Sequence, residues 1–218
     1  MYKLSPSDFA YLYEECKLCY YLKIKMSIQR PSMPFPGVFS ALNTRLQGAL
    51  IGKELQELSP VLPQGSVESQ EGFIESMPVP NTKVYIKGKY DLLVRQPDGT
   101  RLIIDFKISQ PSEEKIAKYE TQLQAYHYAF EHPSTGETRT ITKMGLIIMY
   151  PDQTKFENGR AVMDFPPQWF EIDIKKDFFL QFMAEVSSLL EGPTPPENPN
   201  CKWCKYRHLG EVENLMRL

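Results

Sequence analysis

Two aspartates and a lysine, Asp91, Asp105 and Lys107, are the residues whose types and spacing could do chemistry. Neighbouring carboxylates repel unless a cation neutralises them. A hard divalent ion such as Mg2+ or Mn2+ takes oxygen ligands and keeps positions for water and phosphate. A lysine beside such a pair can orient the attacking water or stabilise charge building on a phosphoryl group. The chemistry open to the trio is metal-assisted hydrolysis of a phosphodiester. On the residues alone a second reading stays open, a solvated polar face in which Asp91 pairs with Lys89 or Lys107.

The elements that must position these groups are two strands and a turn. Alternate side chains of a strand share a face. Pro97-Asp98-Gly99-Thr100 is turn chemistry, with proline presetting φ and glycine accepting positive φ. A loop of Pro97, Asp98 and Gly99 sets Leu92 opposite Ile104, Tyr90 opposite Phe106 and Asp91 opposite Asp105. A loop one residue shorter would split both the acids and the apolar set between two faces. The register that gathers the apolar residues therefore also brings the acids together, with Lys107 on their side. A helix over 111–130 follows. Ser112 serves as its cap, Glu113 and Glu114 lie at its positive end, and Gln122 and Tyr126 project the same way.

Gly88-Lys89-Tyr90-Asp91, then Ile104-Asp105-Phe106-Lys107-Ile108-Ser109, resembles the G-x-x-D and D-Y-K-T-S motifs of RecB-like PD-(D/E)XK nucleases. Gln122-x-x-x-Tyr126 matches the family's third mark, and SPSDFAYLYEECKLCYYLK is similar to the first segment of members with a cysteine cluster, the CRISPR-associated and AddB-type exonucleases. The resemblance covers most of the chain. It implies an α/β fold with a restriction-endonuclease-like core, a mixed central sheet flanked by helices, and a deoxyribonuclease dependent on Mg2+ or Mn2+. Asp91 and Asp105 would hold the metal, with the Phe106 carbonyl as a further ligand. Lys107 would position or activate water, and Gln122 and Tyr126 would orient the substrate phosphate. It also implies DNA as partner, single-stranded or with free ends, and a place in end processing, recombination repair or CRISPR adaptation, with protein partners there. The first core helix of such a fold supplies a further acid or a histidine. Aligned on Gly48, this chain has Gly52 where histidine is expected, and Glu54 or Glu57 could supply a carboxylate instead or simply face solvent.

The chain has 218 residues, 42% hydrophobic and 24% charged, which suits one globular domain over 1–218. A net charge of −2 argues against a protein that coats DNA through overall positive charge, though not against a local basic groove. No apolar run approaches a membrane span, and MYKLSPSDFAYLYEEC is too polar for a secretory signal, so a cytoplasmic location is expected.

Four cysteines form two pairs, Cys16-x-x-Cys19 and Cys201-x-x-Cys204. In a reducing compartment this spacing points to metal ligation, and four thiolates suit tetrahedral Zn2+ or an iron–sulfur cluster equally well. Either would join segments 1–28 and 192–218 as a clasp. The resemblance implies a [4Fe-4S] cluster, but relatives carry one N-terminal cysteine and three C-terminal ones, whereas this chain has two and two. Lys17, Lys23, Lys25, Lys202, Lys205 and Arg207 surround the pairs, with Tyr20, Tyr21, Trp203 and Tyr206 among them. Such a surface could bind single-stranded nucleic acid by phosphate contact and stacking, or the aromatics could shield the metal.

Overall fold

A computed structural model of the chain describes residues 1–31 and 36–208. Residues 32–35 of the expected Gln29–Gly37 loop and 209–218 of the expected clasp lie outside the described residues.

Strand β1 (Tyr2–Leu4) leads into helix α1 (Pro6–Asp8), opened by a proline whose missing N–H costs nothing at that position. The backbone widens into a π-helical stretch, Phe9–Tyr13, and breaks before helix α2 (Lys17–Met26). The continuous helix expected from Ser7 to Met26 is thus divided. The wider π turn changes the helical phase, so Phe9, Ala10, Leu12 and Tyr13 are all buried. Cys16 is extended (φ −163°, ψ 108°) and stands at the N-cap of α2, with Cys19 in its first turn.

The expected helix Phe39–Leu58 is likewise two, α3 (Gly37–Gly48) and the short α4 (Leu55–Leu58). Between them Gly52 takes φ +73° and its amide donates to the Val67 carbonyl. The remaining elements are β2 (Ser66–Gln70), β3 (Phe73–Glu75), β4 (Val84–Lys89), β5 (Leu92–Arg95), β6 (Arg101–Ile108), α5 (Glu113–Glu131), β7 (Ile141–Met149), β8 (Gln153–Glu157), β9 (Arg160–Asp164), β10 (Pro167–Glu171), α6 (Lys176–Glu191) and α7 (Lys202–Arg207).

The main sheet has the order β10-β7-β6-β5-β2. Only β6 and β7 are parallel, and α5 makes the crossover between them. A smaller sheet, β1-β4-β3, adjoins it, and β8 and β9 form a separate hairpin. The β5–β6 hairpin has the expected register, Leu92 across from Ile104 through Arg95 across from Arg101. The Gln96 amide donates to the Thr100 carbonyl, which closes the loop of Pro97, Asp98 and Gly99, and Gly99 has φ +85°.

The strand expected to run unbroken from Val84 to Arg95 bends at Tyr90–Asp91. Before the bend, β4 pairs with β1 and β3; after it, β5 pairs with β6 and β2. Tyr90 therefore does not face Phe106. Its amide donates to the Gly72 carbonyl and its ring packs edge-on against Phe130, 5.0 Å between centroids.

Both faces of the main sheet are covered. Leu93, Ile103, Met144 and Leu146 pack under α5 against Leu123 and Tyr126. Leu92, Ile104, Phe106 and Ile147 pack against Leu50, Leu55 and Leu62. Each large aliphatic side chain so buried contributes about 1.5–3 kcal/mol. The face that carries the acids is therefore buried, because α5 crosses it.

Candidate active site and cysteine centre

Asp91 sits at the bend, next to the last rung of the β5–β6 ladder, and its carboxylate turns back to β6. Its Oδ2 accepts a hydrogen bond from the Phe106 amide at 2.8 Å. In a strand the N–H and C=O of one residue face the same side. The Phe106 carbonyl is thus directed into the gap that β5 leaves by ending at Leu92.

Asp105 is 2% exposed. Its Oδ1 accepts from Gln122 Nε2 at 2.9 Å, and α5 places Gln122 directly over it. Its Oδ2 stands 2.7 Å from Lys107 Nζ as an ion pair. Burial pushes the Asp105 carboxyl up to about 7; Lys107 opposes that rise and the Asp91 charge adds to it. Lys107 Nζ is also 3.7 Å from Asp91 Oδ2 and lies 4.8 Å from the centre of the Tyr119 ring. Burial would lower the Lys107 ammonium, but the two aspartates outweigh it and raise its pKa. The lysine is therefore a cation at neutral pH. A buried carboxylate oxygen met by the Lys107 ammonium, beside a second carboxylate and a backbone carbonyl, belongs to an oxygen donor set that fits Mg2+ or Mn2+.

An open cleft of about 310 Å³ reaches Asp91, Phe106 and Lys107, and its other wall is Phe39, Ser40 and Asn43 of α3. Behind that wall the fully buried Gln47 donates from Nε2 to Asn43 Oδ1 at 3.1 Å. The sequence reading missed Ser40 and Asn43. The polar Asn43–Gln47 pair, one turn apart in GVFSALNTRLQG, was the available signal.

Four further expected residues are placed as follows. Glu54 is exposed at the N-cap of α4 and bridges to Ser66, which stands across from Arg95. Asp91 lies four residues from Arg95 along the strand, about 13 Å. The structure does not bring Glu54 to the acid pair, because the turn at Gly52 carries α4 to the opposite end of β5. Glu57, in α4, is also exposed. Tyr126 has its hydroxyl committed within the fold, donating to the Lys89 carbonyl at 2.6 Å. Gln122 likewise spends its amide on Asp105. These two residues brace the site from α5.

The four cysteines do come together. All are buried, and one sulfur of each lies within 4.8 Å of the others. Cys201 stands at the N-cap of α7 with Cys204 in the first turn, repeating the arrangement at α2. Burial pushes the Cys204 thiol up to about 12. Burial also acts upward on Cys201, but amides of Cys204 and Trp203 donate to its sulfur and hold it down to about 7. Part of the expected basic, aromatic surface is spent inside the fold, while Lys202, Lys205 and Tyr206 are exposed. Tyr20 and Tyr21 are buried, Lys23 pairs with Asp8 at 2.6 Å, and Lys25 donates to the Leu190 carbonyl.

A mixed sheet whose hairpin gathers two acids and a lysine under the crossover helix makes this an α/β fold with a candidate nuclease site. The model of the PD-(D/E)XK nuclease superfamily matches residues 33–209, and the chain belongs to that superfamily. Among solved structures the chain is similar to SSO0001 (15% identity, 95% of this chain and 84% of that chain, TM-score 0.54), a likeness of fold. An alkaline exonuclease from Laribacter hongkongensis aligns at 14% identity over 99% of this chain and 92% of its own, with TM-score 0.44. No curated protein sequence matches the chain. Among the described residues no helix is long and apolar enough to cross a membrane.

Proposed function

We propose that the chain is a Mg2+- or Mn2+-dependent deoxyribonuclease acting on DNA with free ends, single-stranded ends above all. The observation that carries this reading is the convergence of Asp91 and Asp105 on Lys107 at ion-pair distances, with Asp91 and Lys107 lining one open cleft and Asp105 buried behind them. Asp91, Asp105 and the Phe106 carbonyl would hold the metal. When bound, the ion supplies Lewis acidity at the phosphate and lowers the pKa of water. Lys107 would present its ammonium to the attacking water and to the charge forming on the phosphoryl oxygens. Gln122 fixes the Asp105 carboxylate, and Tyr126 fixes the Lys89 carbonyl just before the bend at Asp91. Ser40 and Asn43 offer neutral donors from the opposite wall to a phosphate oxygen. The domain is one unit over 1–218, with 1–28 and 192–218 as a clasp built on a metal centre. Roles in DNA end processing, recombination repair or CRISPR adaptation are the settings proposed for it.

A second reading has one observation behind it. Glu54 lies away from the acid pair, so the described site has two carboxylates and no third ligand of that kind. A chain of this fold could then serve as a nucleic-acid-binding subunit with weak or no cleavage.

The test is cleavage of labelled single- and double-stranded DNA with Mn2+ or Mg2+, beside Asp105→Ala and Lys107→Ala. Cleavage that both substitutions leave intact would overturn the site. DNA binding without cleavage would select the second reading.

A further inference from the structure

We propose that Cys16, Cys19, Cys201 and Cys204 hold one tetrahedral zinc ion rather than a [4Fe-4S] cluster, and that Arg30 and Arg207 support it electrostatically. The inference rests on reading the four cysteines as one metal centre, and it chooses the ion.

The spacing decides. Cys16 and Cys204 sulfurs are 3.6 Å apart, and Cys19 and Cys201 sulfurs 3.7 Å apart. None of the four is beyond 4.8 Å from another. A tetrahedral zinc with Zn–S bonds of about 2.3 Å places its thiolates about 3.8 Å apart. In a [4Fe-4S] cluster each thiolate binds a different iron, and the irons with their bridging sulfides lie between the four thiolates. Those thiolates must stand much farther apart than ligands of a single ion. The cage here has the dimensions of one ion.

Tyr13, Leu18, Tyr20, Phe182 and all four cysteines belong to one buried cluster, with Trp203 packed against it. Both pairs are also built alike, the first cysteine extended at an N-cap and the second one turn in. Two such C-x-x-C halves facing each other are the ligand pattern of a closed structural zinc site.

Charge balance explains the two arginines. Zn2+ with four thiolates carries a net charge of −2, which is costly in a core. Arg207 Nη2 lies 3.3 Å from Cys19 Sγ and its Nη1 3.8 Å from Cys204 Sγ. Arg30 Nη2 lies 3.5 Å from Cys201 Sγ, while its Nη1 pairs with the more exposed Glu15 at 2.5 Å. Both guanidinium ions keep their charge at any relevant pH. A cluster would carry similar charge, so the arginines fit either group and the sulfur spacing makes the choice. Loading involves no electron transfer; each thiol that binds gives its proton to the buffer as a Zn–S bond forms.

The experiment is elemental analysis and visible spectroscopy of the full chain, purified without oxygen from cells supplied with both iron and zinc. One zinc per chain, no iron, and a colourless sample unchanged by dithionite is the expected result. A brown sample with about four irons per chain would overturn the choice of ion while leaving the metal centre intact. Protein free of both metals would overturn the metal centre itself. Arg207→Gln is expected to speed zinc loss to a chelator by roughly 10- to 100-fold, the range for residues that brace metal ligands, with Arg207→Lys recovering part of it. Zinc release unchanged in Arg207→Gln would overturn the role given to the arginine.

Discussion

The amide of Phe106 donates to Asp91 Oδ2 at 2.8 Å, so the backbone of one acid's strand holds the side chain of the other. Asp105 and Lys107 flank Phe106 in sequence, and that one bond ties the whole trio to the bend at Tyr90–Asp91. Precision at the site therefore comes from the hairpin's register together with the place where its partner strand departs.

Removing either partner of this trio should be severe for chemistry and mild for folding. Asp105→Asn keeps the shape and the bond to Gln122 while removing a charge. Its cleavage rate is expected to fall by roughly 10²–10³, as does that of Lys107→Ala. Circular dichroism of both variants should match the unsubstituted chain, and rates within tenfold of it would contradict the assignment.

The raised Asp105 pKa gives a pH dependence with a defined sign. The folded chain holds that proton up to about pH 7, whereas an unfolded aspartate loses it near 3.9. Without metal, this contribution to stability is present below about pH 4 and is lost as pH rises to 7. Urea unfolding in EDTA should show that slope, and Asp105→Asn should flatten it. Metal must displace the same proton, so Mn2+ affinity measured by calorimetry should strengthen from pH 5 to 7.

Gln122 acts through Asp105, so its loss should register first in metal binding. Gln122→Ala is expected to weaken Mn2+ affinity by roughly 10- to 100-fold. Saturating Mn2+ should restore most of the cleavage rate; a rate loss that excess metal leaves untouched would indicate direct contact with substrate.

Gly88, first residue of the G-x-x-D motif, is a packing requirement. A Cβ there would lie 2.6 Å from Pro6 Cδ and 3.2 Å from a Tyr126 ring carbon. Gly88→Ala should cost about 1–3 kcal/mol by overpacking and disturb the Tyr126–Lys89 hydrogen bond. Chemical denaturation reads the first effect and reduced cleavage the second.

Glu54→Ala and Glu57→Ala are expected to leave cleavage unchanged, since α4 lies at the far end of β5. A loss above tenfold in either would show that this helix reaches the acids during turnover.

The hairpin was legible because two local signals agreed: a Pro-Asp-Gly turn and an alternation that only one register satisfies. The α5 cap was legible too, and the Ser112 hydroxyl accepts from the Lys115 amide as the sequence suggests. Other features depend on distant partners and leave no local trace. The bend at Asp91 exists because β4 must pair with β1 and β3, and β1 is some eighty residues earlier. The π turn at Phe9–Tyr13 depends on how α5 and α6 receive it. Glu54 lies away from the acids because the turn at Gly52 carries α4 to the opposite end of β5.

The bend also sets how the chain can tolerate changes in length. Deleting one residue of the Tyr90–Asp91 bend would turn Leu92–Arg95 over relative to β4, exposing one packed face and burying another. Among the described residues the β8–β9 hairpin pairs only with itself, and all of it but Asp164 is exposed. Insertions and deletions can accumulate there without reaching either sheet, so the chain has one stretch that fixes its count of residues and another free to vary it.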